Sequence, residues 1–147
     1  MIRQFDNYND LKNYINSINK ELKVDEKNNI IDKNIEKIIY DDKDYNKNFE
    51  ENIDFNGDLS LNNLKSENIY GNIEVNKLFI TDCYNLKEIN IYSSSLQNLI
   101  ITLSNISSNN IIIDGYYPNL NNIDIYMEDD INLNLYLNGI FEKKNYI

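Results

Sequence analysis

Between residues 75 and 135 one phrase, apolar-x-x-apolar-x-apolar, returns about every ten residues, and a chain that repeats at such a period folds by stacking like units on one another. Full copies read VNKLFI at 75–80, LKEINI at 86–91, LQNLII at 96–101 and LNNIDI at 120–125. Copies with a polar first position are SNNIII at 108–113 and DINLNL at 130–135, and DLSL at 58–61 and NIYG at 68–71 are worn versions. In a strand, residues two apart share a face and residues three apart do not. Ile89 and Ile91 can therefore enter a core from one strand, but Leu86 joins them only if the chain turns between 86 and 89. The spacing predicts a corner before every strand.

Corner, short strand, corner, short strand is how a parallel β-solenoid coils. The alternative, an antiparallel β-meander packed on a helix, calls for period-two alternation with glycine-bearing hairpin turns, and the chain has only four Gly. Ahead of the repeats, residues 7–23 set Leu11, Tyr14, Ile15, Ile18 and Leu22 at helical spacing, with Asn9 or Asp10 to cap the first turn. This amphipathic helix is expected to cover the first coil. NIEKIIY at 34–40 suits a short helix or a strand, and DDKDYNKNFEEN at 41–52 reads as a loop with little to bury. The expected organisation is one domain, with a helical cap and charged loop over 1–57, a repeat solenoid over 58–140 and a tail over 141–147.

The stretch VNKLFITDCYNLKEINI resembles the leucine-rich repeat, with Val75, Leu78 and Ile80 at the apolar positions and Cys83 at the Asn/Cys position; YPNLNNIDIY at 117–126 is similar to the start of another repeat. The resemblance covers about residues 59–137 and implies a leucine-rich-repeat-like solenoid that recognises other proteins. Leu78, Leu99 and Ile123 form one series of strands, and Ile89, Ile111 and Leu133 a second. Strand-like phrases in both halves of the repeat, and Ser94 and Tyr116 where the family places Asn or Cys, depart from the family pattern and leave open a horseshoe or a more two-sided solenoid.

Composition narrows the chemistry. The chain has no Ala, no Trp and no His, and the missing His removes Ser-His-Asp and Cys-His triads, HExxH zinc sites and any imidazole base. Cys83, the single cysteine, can form neither an internal disulfide nor a zinc site, and reads as a buried thiol bonding the backbone at a corner. NGDLSL at 56–61 and DGYYPN at 114–119 lack the glycine spacing and Lys of a phosphate loop and read as turns. MEDD at 127–130 lacks the alternating oxygen ligands of a calcium loop. No cofactor or metal is expected. One carboxylate route to catalysis is left, a glycan-cleaving solenoid in which Asp114 and Asp124, in successive phrases, approach each other.

A net charge of -10 argues against a nucleic acid or an anionic membrane as the direct ligand and favours a basic protein. From Lys87 to Lys143 no Lys or Arg intervenes, while Glu88, Asp114, Asp124, Glu128, Asp129, Asp130 and Glu142 all lie there. AT-rich codons would yield an Asn excess but not this gap, because Lys codons are as AT-rich as Asn codons. The candidate partner-binding residues are Tyr92, Asp114, Asp124, Tyr126, Glu128, Asp129, Asp130 and Tyr136, tyrosines for contact area and acids for charge. The expected function is non-enzymatic: a small acidic inhibitor that masks a basic nucleic-acid-binding protein such as a nuclease or CRISPR effector, in the manner of anti-CRISPR or toxin-immunity proteins. A generic leucine-rich-repeat interaction or structural protein is the alternative. With neither an apolar leader nor a membrane-length apolar run in the chain, a cytoplasmic location is expected, and no oligomeric state is implied.

Overall fold

The computed structural model describes residues 1–18, 36–104, 106–107, 110–128 and 132–141. The expected helical turn at 19–23 and the candidates Asp129 and Asp130 lie outside the described residues. In chain order the elements are β1 (Ile2–Phe5), α1 (Tyr8–Ile18), β2 (Lys37–Asp41), β3 (Phe49–Glu50), β4 (Ile53–Asp54), β5 (Asp58–Asn62) and β6 (Asn68–Glu74). They continue as β7 (Lys77–Thr81), β8 (Glu88–Tyr92), β9 (Asn98–Leu103), β10 (Asn110–Tyr117), β11 (Asn122–Met127), β12 (Asn134–Leu137) and β13 (Ile140–Phe141).

From β2 onward the chain alternates between two sheets. The first has the order β1-β2-β5-β7-β9-β11, and the second β12-β10-β8-β6-β3, with β4 joining β6 and β13 joining β10. All of these strand pairs are parallel, so the protein is a β-solenoid of about 5 turns, with 52% of the described residues in strands. Uniform parallel pairing rules out the antiparallel meander. Strands in both halves of each coil make the solenoid two-sided.

The corners fall where the phrase predicts. Leu86 and Leu96, like Val75 and Leu120, sit just before their strands and are fully buried together with Ile89, Ile91, Leu99 and Ile101. The turn at Leu86 is closed by its backbone N–H on the Cys83 carbonyl at 3.0 Å, and that at Leu96 by its N–H on Ser93 Oγ at 3.1 Å. Parallel hydrogen bonding also runs round the corners, as when Asn63 N donates to Thr81 O and Asp82 N to Thr102 O. These two residues take positive φ, 62° and 54°, a conformation that Asn and Asp tolerate better than most side chains. Cys83 is wholly buried beside them and its thiol points at the Leu61 carbonyl, 3.5 Å away. Burial pushes that thiol up to about 12, so it is an inert part of the corner.

One register differs from expectation. Ile89 pairs with Ile113, and Ile113 with Leu137, whereas Ile111 pairs with Leu135. In the second series Ile111 therefore stands one pleat, and Leu133 two pleats, before the residue in file with Ile89; β10 is eight residues long and starts a pleat ahead of the position opposite β8. In the first series Leu78, Leu99 and Ile123 are partners as read.

A larger correction lies near the N-terminus. Of the two readings of NIEKIIY the strand holds, as β2, whereas the segment expected to be a loop with little to bury forms the second half of the first coil through β3 and β4. Its Tyr45, Phe49 and Glu51 are buried, and Tyr45, Tyr40 and Phe49 pack as an aromatic cluster. Regular stacking thus starts well before residue 58. The helix cap is Asn7, not Asn9 or Asp10: its Oδ1 accepts from the backbone N–H of Asp10 at 3.0 Å, and its amide reaches the Asp10 carboxylate at 2.7 Å. Leu11, Ile15 and Ile18 of α1 enter the same core as the coils, so the helix does cover the first coil.

Asparagine also has more structural use than codon bias suggests. Asn68 bonds Asn48, Asn76 bonds Asn56 and Asn134 bonds Asn110, each to the like position one coil away. At another corner Glu74 accepts from the Ser94 backbone N–H and from both the Ser94 and Ser95 hydroxyls, each at 2.8 Å. Burial alone would raise its carboxyl, but these donors outweigh burial and hold it below its ordinary value of 4.5. A depressed folded value means the stabilisation is complete above about pH 4.5 and is lost as pH falls through the folded value. In urea unfolding at pH 7, Glu74→Gln will therefore be the less stable protein, and the difference will shrink at pH 3. A gap of equal size at both pH values would show that the carboxylate charge has no part in this corner.

Candidate partner-binding face

Because side chains alternate along a strand, each sheet lines the core with one face and turns the other outward. On the second sheet the register sets the outward residues in files across the coils. One file runs Glu50, Tyr70, Asn90, Asp114; the next runs Asn72, Tyr92, Tyr116, Ile140; a third runs Asn68, Glu88, Ile112, Tyr136. None of these positions carries Lys or Arg. Tyr92 and Tyr136 are 58% and 48% exposed, and Tyr116, the direct neighbour of Tyr92, is exposed as well. The result is a tyrosine-rich face on which, among the described residues of these files, every charge is negative.

The outward face of the first sheet is different in kind. Its files run Lys37, Asp58, Lys77, Asn98, Asn122 and Ile39, Ser60, Phe79, Ile100, Asp124, so acids and bases are mixed there. Lys37 Nζ lies 4.3 Å from the centre of the Phe79 ring, a cation already placed on the aromatic group of that face.

On the second sheet, Tyr70 and Tyr92 border a shallow groove of about 340 Å3, lined also by Glu50, Asn52, Gly71, Asn72 and Asn90. The Tyr70 hydroxyl is pushed above its ordinary 10, first by burial and then by the nearby carboxylates of Glu88 and Glu50. It stays a neutral donor, directed at Glu88 Oε1 at a long 3.5 Å. A larger hollow of about 520 Å3 lies at a corner among Asp6, Asp41, Asp42 and Asp44, where Lys43 and Lys65 line it too and offset half of that charge. Among the described residues no three acidic or sulfur side chains converge to hold a metal ion.

The sequence candidates divide between the two sheets. Tyr92, Asp114 and Tyr136 come together on the outer face of the second sheet, whereas Asp124 and Tyr126 lie on the outer face of the first. Glu128 is exposed just beyond β11. The division corrects the expectation that Asp114 and Asp124 approach each other. Successive phrases occupy opposite sheets, so the core lies between these two carboxylates and they cannot flank one glycosidic bond. Tyr70, Tyr116 and Glu50 were missed as members of the face. The signal was present, since Glu50, Tyr70 and Asn90 are spaced one coil apart, but Glu50 and Tyr70 precede the Lys-free stretch that drew attention.

In comparisons with protein families, curated proteins and solved structures, nothing matches the chain. Among the described residues no helix is long and apolar enough to cross a membrane.

Proposed function

We propose that this protein is a non-enzymatic binding module and that the outer face of its second sheet engages a basic surface on a partner protein. The observation that carries the reading is the set of cation-free files holding Glu50, Glu88 and Asp114 beside Tyr70, Tyr92, Tyr116 and Tyr136. Exposed tyrosines supply contact area at small entropic cost, and a field of one sign steers an oppositely charged partner. The finer reading is an inhibitor that masks a nucleic-acid-binding protein, of the anti-CRISPR or toxin-immunity kind. It is supported by small size, a net charge of -10 and the absence of His. The same reading takes the solenoid as leucine-rich-repeat-like on the phrase VNKLFITDCYNLKEINI, and the protein as cytoplasmic on its lone cysteine.

The test begins with a partner captured on the immobilised protein at low salt and then uses purified components. Association will slow as salt is raised, and added protein will displace nucleic acid from the partner. Tyr92→Ala and Tyr136→Ala will each raise the dissociation rate, by about 1 to 3 kcal/mol if the residue lies at the interface centre. Tyr126→Ala, on the opposite sheet, will leave that rate unchanged. An acidic partner, or binding that ignores both salt and the two tyrosines, would remove the basis for this reading; failure to displace nucleic acid would remove only the masking role.

A further inference from the structure

The chemistry of the occupant can be taken one step further on the same reading of the second sheet's outer face. We infer that the groove between Tyr70 and Tyr92 seats an arginine side chain of the partner, its guanidinium lying on a tyrosine ring and paired with Glu50. Tyr70 and Tyr92 stand on adjacent coils in adjacent files, a diagonal relation across which aromatic side chains reach the same space. The floor between them includes Gly71, which has no side chain, and Asn90, while Asn52 and Asn72 at the edge are exposed. Glu50 is exposed and has no ion-pair partner among the described residues.

Two other aromatic groups of the molecule already hold a cation. Lys37 lies over Phe79 at 4.3 Å and Arg3 over Tyr14 at 5.5 Å. Tyr70 and Tyr92 offer similar ring faces, with no Lys or Arg among the described residues of their own files. An anion would meet the repulsion of Glu50 and Glu88 there. A free small cation would be weakly held, because the groove is shallow and open, so its occupant needs anchoring from elsewhere, as a partner's side chain has. Arginine suits the place better than lysine. A guanidinium is planar and weakly hydrated, stacks on a ring and donates in its own plane to a carboxylate and an amide oxygen, whereas an ammonium is a strongly hydrated point charge.

Two peptides of equal charge, four arginines spaced by glycines and the same sequence with lysines, test this by NMR titration of the full chain at low salt. The arginine peptide will bind several-fold more tightly, with the largest shifts at the amides of Gly71 and Asn90. Tyr92→Ala and Glu50→Gln will each weaken it about fivefold or more, while Asp58→Asn, which removes the same charge from the other sheet, will not. Equal binding of the two peptides to this face, or indifference to Tyr92 and Glu50, would overturn the arginine seat and leave the acidic face standing. Shifts confined to other surfaces would overturn both.

Discussion

Gly115→Ala will destabilise the protein by at least about 3 kcal/mol, an effect expected of few single-methyl additions. Gly115 has φ of 115°, and a Cβ built on it lies 2.0 Å from the carbonyl oxygen and 2.7 Å from the nitrogen of Ile91, its partner on the adjacent coil. Those atoms belong to backbone held in a parallel ladder, in which neighbouring strands are fixed about 4.7–4.9 Å apart. They cannot move aside as the end of a flexible side chain can. Relief requires either that the coils separate, with loss of hydrogen bonds on both sides, or that residue 115 leave its positive φ and take β10 out of register.

Gly71 makes the same case two coils earlier. It has φ of 133°, and its Cβ would lie 1.9 Å from the Glu51 carbonyl oxygen. Both glycines share a file with Ile91, and at each the adjoining strand is interrupted. β3 and β4 pair with β6 on either side of Gly71, as β12 and β13 pair with β10 on either side of Gly115. The glycines therefore mark where the second sheet bends. Gly139 is the internal comparison, since its nearest obstacle is 3.1 Å away and its φ is not in the left-handed region. Urea unfolding should rank Gly115→Ala and Gly71→Ala far below Gly139→Ala. If all three variants unfold together with the parent protein, the close approach of the coils at these positions is wrong.

How far the sequence could be read depended on whether the relevant contacts were local. Leu86, Ile89 and Ile91 announce a corner and a strand because the three-then-two spacing is complete within six residues, and all three are buried in that arrangement. The acidic character of one face was legible from the Lys-free stretch, but its membership was not, because neighbours on a solenoid face stand a whole coil apart. Side-chain bonds between coils span from 18 to 25 residues. A window that holds Asp114 and Asp124 together therefore joins two opposite faces. The first coil was hidden for a related reason. FEEN reads as solvated loop because it carries two adjacent glutamates, yet Glu51 is only 3% exposed. What makes its burial tolerable comes from α1, about forty residues earlier in the chain.

That distant pairing yields the second large effect. Glu51 Oε1 accepts a short hydrogen bond from the Tyr8 hydroxyl, and Lys12 Nζ lies 2.8 Å from Oε2. The hydrogen bond to Glu51, aided by burial and the carboxylate charge, keeps the Tyr8 phenol well above its ordinary 10, so the phenol remains a donor. Lys12→Met keeps most of the apolar stem but leaves a charged carboxylate under the helix with Tyr8 as its remaining side-chain partner. Losing one partner of a fully buried pair costs about 3–5 kcal/mol; the Lys12 side chain is 43% exposed, which places this case nearer about 2–3 kcal/mol. Glu51→Gln added to Lys12→Met should recover most of that loss, because a neutral amide oxygen can still accept from Tyr8 and no uncompensated charge is left. The double-mutant cycle separates this from lost packing: if Lys12→Met costs the same with and without Glu51→Gln, its methylenes and not its charge hold α1 down. Hydrogen exchange supplies the location. Amides of α1 and β2 should lose protection in Lys12→Met before those of β8 and β9, since the defect lies at the capped end of a solenoid whose coils mainly contact their neighbours.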